Sequence, residues 1–406
     1  AETTSGLLTV STTTLQGVAV LEIVVNDPDI DNVADDIAAP SVTVAGTDYV
    51  LTQGTNGKWY VYIVDASQAV LLDDDTTPSG FEFGILCVEG LGTEESLTKL
   101  IVPRTIDVYA NVMAAHTANW ANTTALGEGS CQDADGMVEE LDDASTSIAR
   151  EDMTGAILAN APTLSDPNGD QTNLGQRLHK LNASGFGSWP YIISQDFSGD
   201  NIVEYGSDSI NVVYGNTDAE TSISLANRNP GSLAEVHLTI TDPALNIDPT
   251  TADIWTFSLA STAAAPAVAL NTNGTNTALT AQELGQHGCV DNCRLSSNVQ
   301  TNLITGSKAL TLVTMTETGA STDVFESWDT NGVASFKTIA DAAGDGQVIF
   351  SYGGNSVDQI ITYNDAAISL DAGGDWAPGT TATISVNDPE ANRNPTSAET
   401  LNAYDE

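Results

Sequence analysis

Gly17 to Asp31 reads GVAVLEIVVNDPDID, Gly231 to Asp248 reads GSLAEVHLTITDPALNID, and Gly379 to Asn394 reads GTTATISVNDPEANRN. Each stretch is a glycine, a run with alternating apolar residues, and an Asp-Pro pair heading a polar loop. A period of two turns one face of a strand inward and the other outward. Asp-Pro closes it, because proline cannot donate to a sheet ladder and aspartate caps nearby amides. The second and third copies stay in register past the strand: Asp242 to Asp253 (DPALNIDPTTAD) matches Asp388 to Glu399 (DPEANRNPTSAE) at a period of 146 residues. Each copy also follows another apolar segment, LLTVS from Leu7, SISLA from Ser222 and AISLD from Ala367. The repeated element is therefore strand, turn, strand, and similarity at a fixed period defines units before any strand is assigned.

Unit ends repeat too, since Tyr205 to Asn216 (YGSDSINVVYGN) resembles Tyr352 to Asp365 (YGGNSVDQIITYND). The chain divides into residues 1–216, 217–365 and 366–406. The first unit is longer than the second, and the excess falls at about 111–190, an insertion in which Met137 to Leu158 and Gly175 to Leu181 suit short helices. The third unit holds only two strands, which cannot bury a core alone. The polypeptide is expected to continue, or these strands to pack on a neighbour. Hairpins are expected at Asn56-Gly57 and Asn331-Gly332, both suited to two-residue type I′ turns. Trp59, Val61 and Ile63 alternate with Tyr60, Tyr62 and Val64, as in a strand with one face inward. The fold class expected is all-β, in tandem immunoglobulin-like β-sandwiches.

Composition narrows the function. Eleven Lys and Arg face 55 Asp and Glu, a formal charge of -44. Such a surface repels nucleic acid and anionic lipid and attracts cations. Hydrophobic residues make up 41% of the chain, so the charge decorates folded units rather than a disordered tail. No apolar run approaches the roughly 18 residues of a membrane helix, so membrane attachment would come through other parts of a full-length protein. Ala1 follows no basic, apolar leader and reads as a processed or engineered start.

The Asp-Pro loops are the candidate metal sites, because calcium takes six to eight oxygen ligands. The donors would be Asn26, Asp27, Asp29 and Asp31 in the first loop, Asp242, Asn246 and Asp248 in the second, and Asp388, Glu390, Asn392 and Asn394 in the third. The alternative is an ordinary turn in which Asp and Asn cap backbone amides. The first loop, with Asp35 close behind its three aspartates, carries more charge than a turn needs. In the third, Arg393 intrudes. A further tract, Asp133 to Asp143, resembles a helix-loop-helix calcium site with Cys131 at its first ligand position, and reads better as a solvated helix start.

Catalytic signatures are missing: there is no Gly-x-Ser-x-Gly elbow, His-Glu-x-x-His pair or phosphate-cradling loop. His116, His179, His237 and His287 are scattered, and His237 suits a core or edge place in a strand. The chain is expected not to be an enzyme. A glycosidase needs only two carboxylates, but 6% aromatics offer no evident sugar cleft. Cys289 and Cys293 suit one disulfide and Cys87 with Cys131 another, in an oxidising compartment; crossed pairing and buried thiols are the alternatives. Asn122, Asn182 and Asn273 begin glycosylation sequons.

The loops NDPDIDN, TDPALNIDPTTAD and NDPEANRNPTSAE, set after alternating strands in so acidic a chain, resemble surface-layer proteins of ammonia-oxidising archaea. The resemblance implies an extracellular array of immunoglobulin-like domains that assembles with itself into a lattice on the cell. It further implies calcium-dependent cohesion and a porous acidic coat that draws cations such as ammonium inward. An adhesin or filament subunit, and a carbohydrate-active enzyme, are the competing functions.

Overall fold

The computed structural model describes residues 6–32, 39–54, 56–72, 85–88, 99–102, 192–250, 252–259, 268–272, 275–278, 287–289, 293–298, 302–306, 312–328, 334, 336–371, 374 and 377–400. The described chain is almost entirely β, and no helix in it is long and apolar enough to cross a membrane.

The first unit contains β1 (Leu8–Val10), β2 (Thr14–Leu15), β3 (Leu21–Val25), β4 (Ser41–Val44), β5 (Thr47–Val50), β6 (Thr52–Gln53), β7 (Trp59–Asp65), β8 (Ile85–Val88), β9 (Lys99–Val102), β10 (Ile192–Gln195), β11 (Gly199–Tyr205) and β12 (Asp208–Tyr214). One sheet runs β1-β3-β7-β10-β9-β8 with β6 beside β7, and the other β2-β12-β11-β4-β5. Leu8, Leu21, Ile23, Val25, Trp59, Val61 and Ile63 from the first sheet share a core with Val42, Val44, Val203 and Val212 from the second. This is a sandwich-like pair of sheets. β10 lies parallel to β7 and antiparallel to β9, from which it is separated in sequence by residues 103–191. Residues 111–190, with the suggested helices, lie outside the described residues, as do Cys131, Asn122, Asn182 and Asn273.

The second unit contains β13 (Ser222–Leu225), β14 (Glu235–Val236), β15 (Leu238–Thr241), β16 (Ile254–Ser258), β17 (Val268–Thr272), β18 (Thr275–Ala278), β19 (Ser296–Ser297), β20 (Ile304–Gly306), β21 (Leu312–Glu317), β22 (Val324–Glu326), β23 (Phe336–Thr338), β24 (Gln347–Tyr352) and β25 (Asn355–Ile360). Its main sheet runs β13-β15-β22-β21-β16-β17-β18, with β14-β23-β20 and β19-β24-β25 as smaller sheets. The third part is one antiparallel hairpin of β26 (Ala367–Asp371) and β27 (Thr383–Asn387).

Two details differ from expectation. The hairpin at Asn56-Gly57 forms, but the Gly54 amide bonds the Lys58 carbonyl at 2.8 Å and closes a three-residue loop rather than a two-residue one. Gly57 supplies the positive φ of +85°. Asn331-Gly332 lies outside the described residues, although Trp328 and Ala334 bridge antiparallel on either side. β7 is buried at every position, not on one face. Trp59, Val61 and Ile63 face the first core, whereas Tyr60, Tyr62 and Val64 join Val18 and Val20 in a second cluster with Leu245, Ile247 and Trp255 of the next unit. A strand covered on both faces needs no polar alternation.

Candidate functional site: the joint between units

The three repeated Asp-Pro loops are locked the same way. Asp27 Oδ1 accepts the Asp29 amide at 3.0 Å, Asp242 Oδ1 the Ala244 amide at 2.9 Å, and Asp388 Oδ1 the Glu390 amide at 3.0 Å. The other carboxylate oxygen takes a tyrosine hydroxyl, Tyr205 on Asp27 at 2.8 Å and Tyr352 on Asp242 at 2.6 Å. Three residues after the aspartate, a backbone carbonyl accepts an indole N–H: Trp59 to Ile30 at 2.9 Å and Trp255 to Leu245 at 2.8 Å. The tyrosines are those of the repeated Tyr-Gly turns. Start and end motifs of a unit thus meet in space, and that contact is why both recur.

The second and third loops share more. Asp253 Oδ2 accepts the Ile247 and Asp248 amides, and Glu399 Oε1, at the matching position, accepts the Arg393 and Asn394 amides. Asp248 Oδ1 caps Thr250 and Asn394 Oδ1 caps Thr396. Each acidic or amide side chain so used satisfies a backbone donor that a loop would otherwise bury unpaired.

These loops join neighbouring units. The Val20 amide of the first unit donates to the Ile247 carbonyl of the second at 3.0 Å, and the Glu235 amide of the second donates to the Arg393 carbonyl of the third at 2.7 Å. Val20 and Glu235 occupy the same place in the repeat, as do Ile247 and Arg393. Gly17 and Gly231, which open the repeated segments, lie against the incoming unit: an added Cβ would stand 2.6 Å from the His287 carbonyl oxygen at Gly17 and 2.8 Å from Glu390 Cγ at Gly231. The joint is therefore one device used twice. At the first joint Glu22 accepts the Tyr62 hydroxyl at 2.7 Å. Its counterpart at the second is His237, buried, stacked on Trp328 and bonded to Glu235 and to Thr396 of the third loop. His237 is buried as expected, but between β14 and β15 rather than within a strand, and facing the next unit.

Burial sets the electrostatics. It raises Glu22 to about 7, helped by Asp248 and opposed by the Tyr62 hydroxyl and Lys58. It raises Asp242 to about 6 against the hydrogen bonds of Tyr352 and Ala244, and Glu317, which accepts the Asp253, Thr322 and Asp323 amides, to about 7. Asp253 is pushed well up by burial and by Glu317. His287, donating to the Ala244 carbonyl, is lowered to about 4 by burial.

Protons therefore bind these carboxylates more tightly in the folded chain. Their share of stability is complete below the ordinary carboxylate range and falls as pH rises through about 6 to 7. His287 acts oppositely, complete above its ordinary value and lost as pH falls toward about 4. Thermal melting should shift upward by several degrees, on the order of 2–4 °C per kcal/mol, as pH falls from 8 to 5. Glu22→Gln should flatten part of that rise between about 5 and 7, because Gln keeps an acceptor for Tyr62 without the charge. Melting scans of both proteins at each pH check this; parallel curves would rule out Glu22.

The expected calcium donors are distributed as follows. Asp27 is held by Tyr205 and Asp29, Asp242 by Tyr352 and Ala244, Asn246 by Asp323, and Asp248 by Thr250. Among the described residues, the one set of three potential ligand side chains whose donor atoms lie within 4.8 Å of one another is His287, Cys289 and Cys293. Two of these form the expected disulfide, with Cα atoms 5.3 Å apart. Asp27, Asp29 and Asp31 do not converge in that way. A cavity of about 230 Å³ opens beside the joint, lined by Gln16, Gly17, Tyr214, Asn216 and His287; it carries no cluster of acids or nucleophiles.

No protein-family model matches the chain, and no curated protein matches it.

Proposed function

We propose that this chain is a structural segment of a cell-surface layer, built of tandem immunoglobulin-like sandwiches and not an enzyme. The observation that carries the reading is the joint: the same amide-to-carbonyl bond, between the same positions of the repeat, links the first unit to the second and the second to the third. A protein that joins its units through the same bond at each step is suited to bearing shape rather than to closing around a substrate. Its net charge of -44 would make a layer of such chains an acidic, porous coat that concentrates cations, ammonium among them, through diffuse attraction. Calcium would screen the crowded carboxylates between neighbouring chains. Partners are then other copies of the chain, at the extracellular surface.

Electron microscopy of the purified protein tests this. Ordered sheets should form with millimolar calcium and disperse when a chelator is added. A monodisperse protein under both conditions would sink the lattice, and sheets indifferent to chelation would remove calcium alone.

A further inference from the structure

The β26–β27 hairpin presents four large aliphatic side chains to solvent on one face. Ile368, Leu370, Ile384 and Val386 are 76, 53, 64 and 63% exposed. Their pairing is that of the two covered hairpins. Ile368 lies opposite Val386 and Leu370 opposite Ile384, as Ile223 lies opposite Ile240 and Leu225 opposite Leu238, and Leu8 opposite Val25 and Val10 opposite Ile23. In those hairpins Leu8, Ile23, Val25, Leu238 and Ile240 are buried.

We propose that this face is the opening hairpin of a third sandwich, covered by a sheet on the same polypeptide C-terminal to the hairpin, and that the cover carries one tryptophan strand and one Tyr-Gly hairpin. The chemistry follows from the loop beyond β27. Asp388 and Ala391 stand where Asp27 and Ile30, and Asp242 and Leu245, stand in the other units. Asp388 already caps the Glu390 amide as its counterparts cap theirs. In both other units the second carboxylate oxygen holds a tyrosine hydroxyl and the carbonyl three residues on holds an indole N–H. Among the described residues neither donor reaches Asp388 or Ala391.

Chain order fixes the source. Trp59 and Tyr205 follow the first hairpin, and Trp255 and Tyr352 follow the second, each engaged within its own unit. A second copy therefore has neither described pair to lend. The hairpin is meanwhile held ready: Arg393 bonds Glu235, Glu390 accepts the Asn364 amide, and Thr396 bonds His237. Gly379, the glycine that opens the third copy, has nothing within 4 Å of an added Cβ. The inference does not rest on the surface-layer reading.

Hydroxyl-radical footprinting of the protein isolated from its own cells, beside the chain ending at Glu406, decides it. In the shorter chain Ile368, Leu370, Ile384 and Val386 should label as exposed side chains. In the native protein they should lose that labelling, with peptides mapped beyond residue 406 that include a tryptophan and a Tyr-Gly pair. Full labelling in the native protein overturns the proposal. So does protection when no residues beyond 406 are found, or protection that appears in the shorter chain together with dimerisation, which would make the cover a second copy.

Discussion

Trp255→Ala should cost the second unit about 3–5 kcal/mol, the range for removing a large aromatic side chain from a core. Trp255 is fully buried on β16, packs beside Phe257 and His287 with ring centroids 6.4 Å away, and donates its indole to Leu245. Alanine would leave a cavity and an unpaired carbonyl inside the loop that carries Ile247 to the joint. Trp255→Phe separates the two terms: it keeps most of the ring volume and loses the hydrogen bond, a cost of about 1–3 kcal/mol for an orphaned buried acceptor. Urea unfolding of both variants measures them. Equal costs would mean that the hydrogen bond dominates, and losses below about 1 kcal/mol in both would mean that the loop is not anchored through this residue.

Gly17→Ala is expected to uncouple the first two units. Gly17 has φ +58°, which costs an L-residue roughly 1–2 kcal/mol, and its new methyl group would enter the backbone and ring of His287. Gly199→Ala is the matched control, with φ +53° and nothing within 4 Å of the added carbon. Both variants carry the strain, but only Gly17→Ala forces the joint apart. Calorimetry should show one shared transition in the wild type and in Gly199→Ala, and two separate transitions in Gly17→Ala. A single transition in all three would show that the joint tolerates the displacement.

Much of this fold was legible in the sequence. Periodic alternation marked β1, β3, β13, β15, β26 and β27, and the repeated Asp-Pro pairs marked the loops that follow β3, β15 and β27. The Asp-Pro loops read there both as turns and as cation sites, and the structure shows the turn in full: Asp242, Asp248 and Asp253 cap amides that the loop buries. The joint itself was not legible. It is made by the Val20 amide and the Ile247 carbonyl, backbone groups that every residue carries, so no side-chain pattern announces it. The unbroken apolar run WYVYIV held a usable signal, since a strand without polar alternation is one covered on both faces. Glu22 and His237 stand at the same place in the repeat, but side chains so unlike give no sign of their shared position at a joint.

The segment between β12 and β13 is bonded throughout. Thr217 gives its amide and hydroxyl to Gln16 of the first unit, at 2.8 and 3.0 Å, and the Thr221 carbonyl accepts from Asn355 of the second at 2.9 Å. A connector tied at both ends has surrendered its swivelling freedom during folding. Whatever larger body such a chain enters, the orientational entropy of its two units has already been lost, so association needs to immobilise one body instead of two hinged ones.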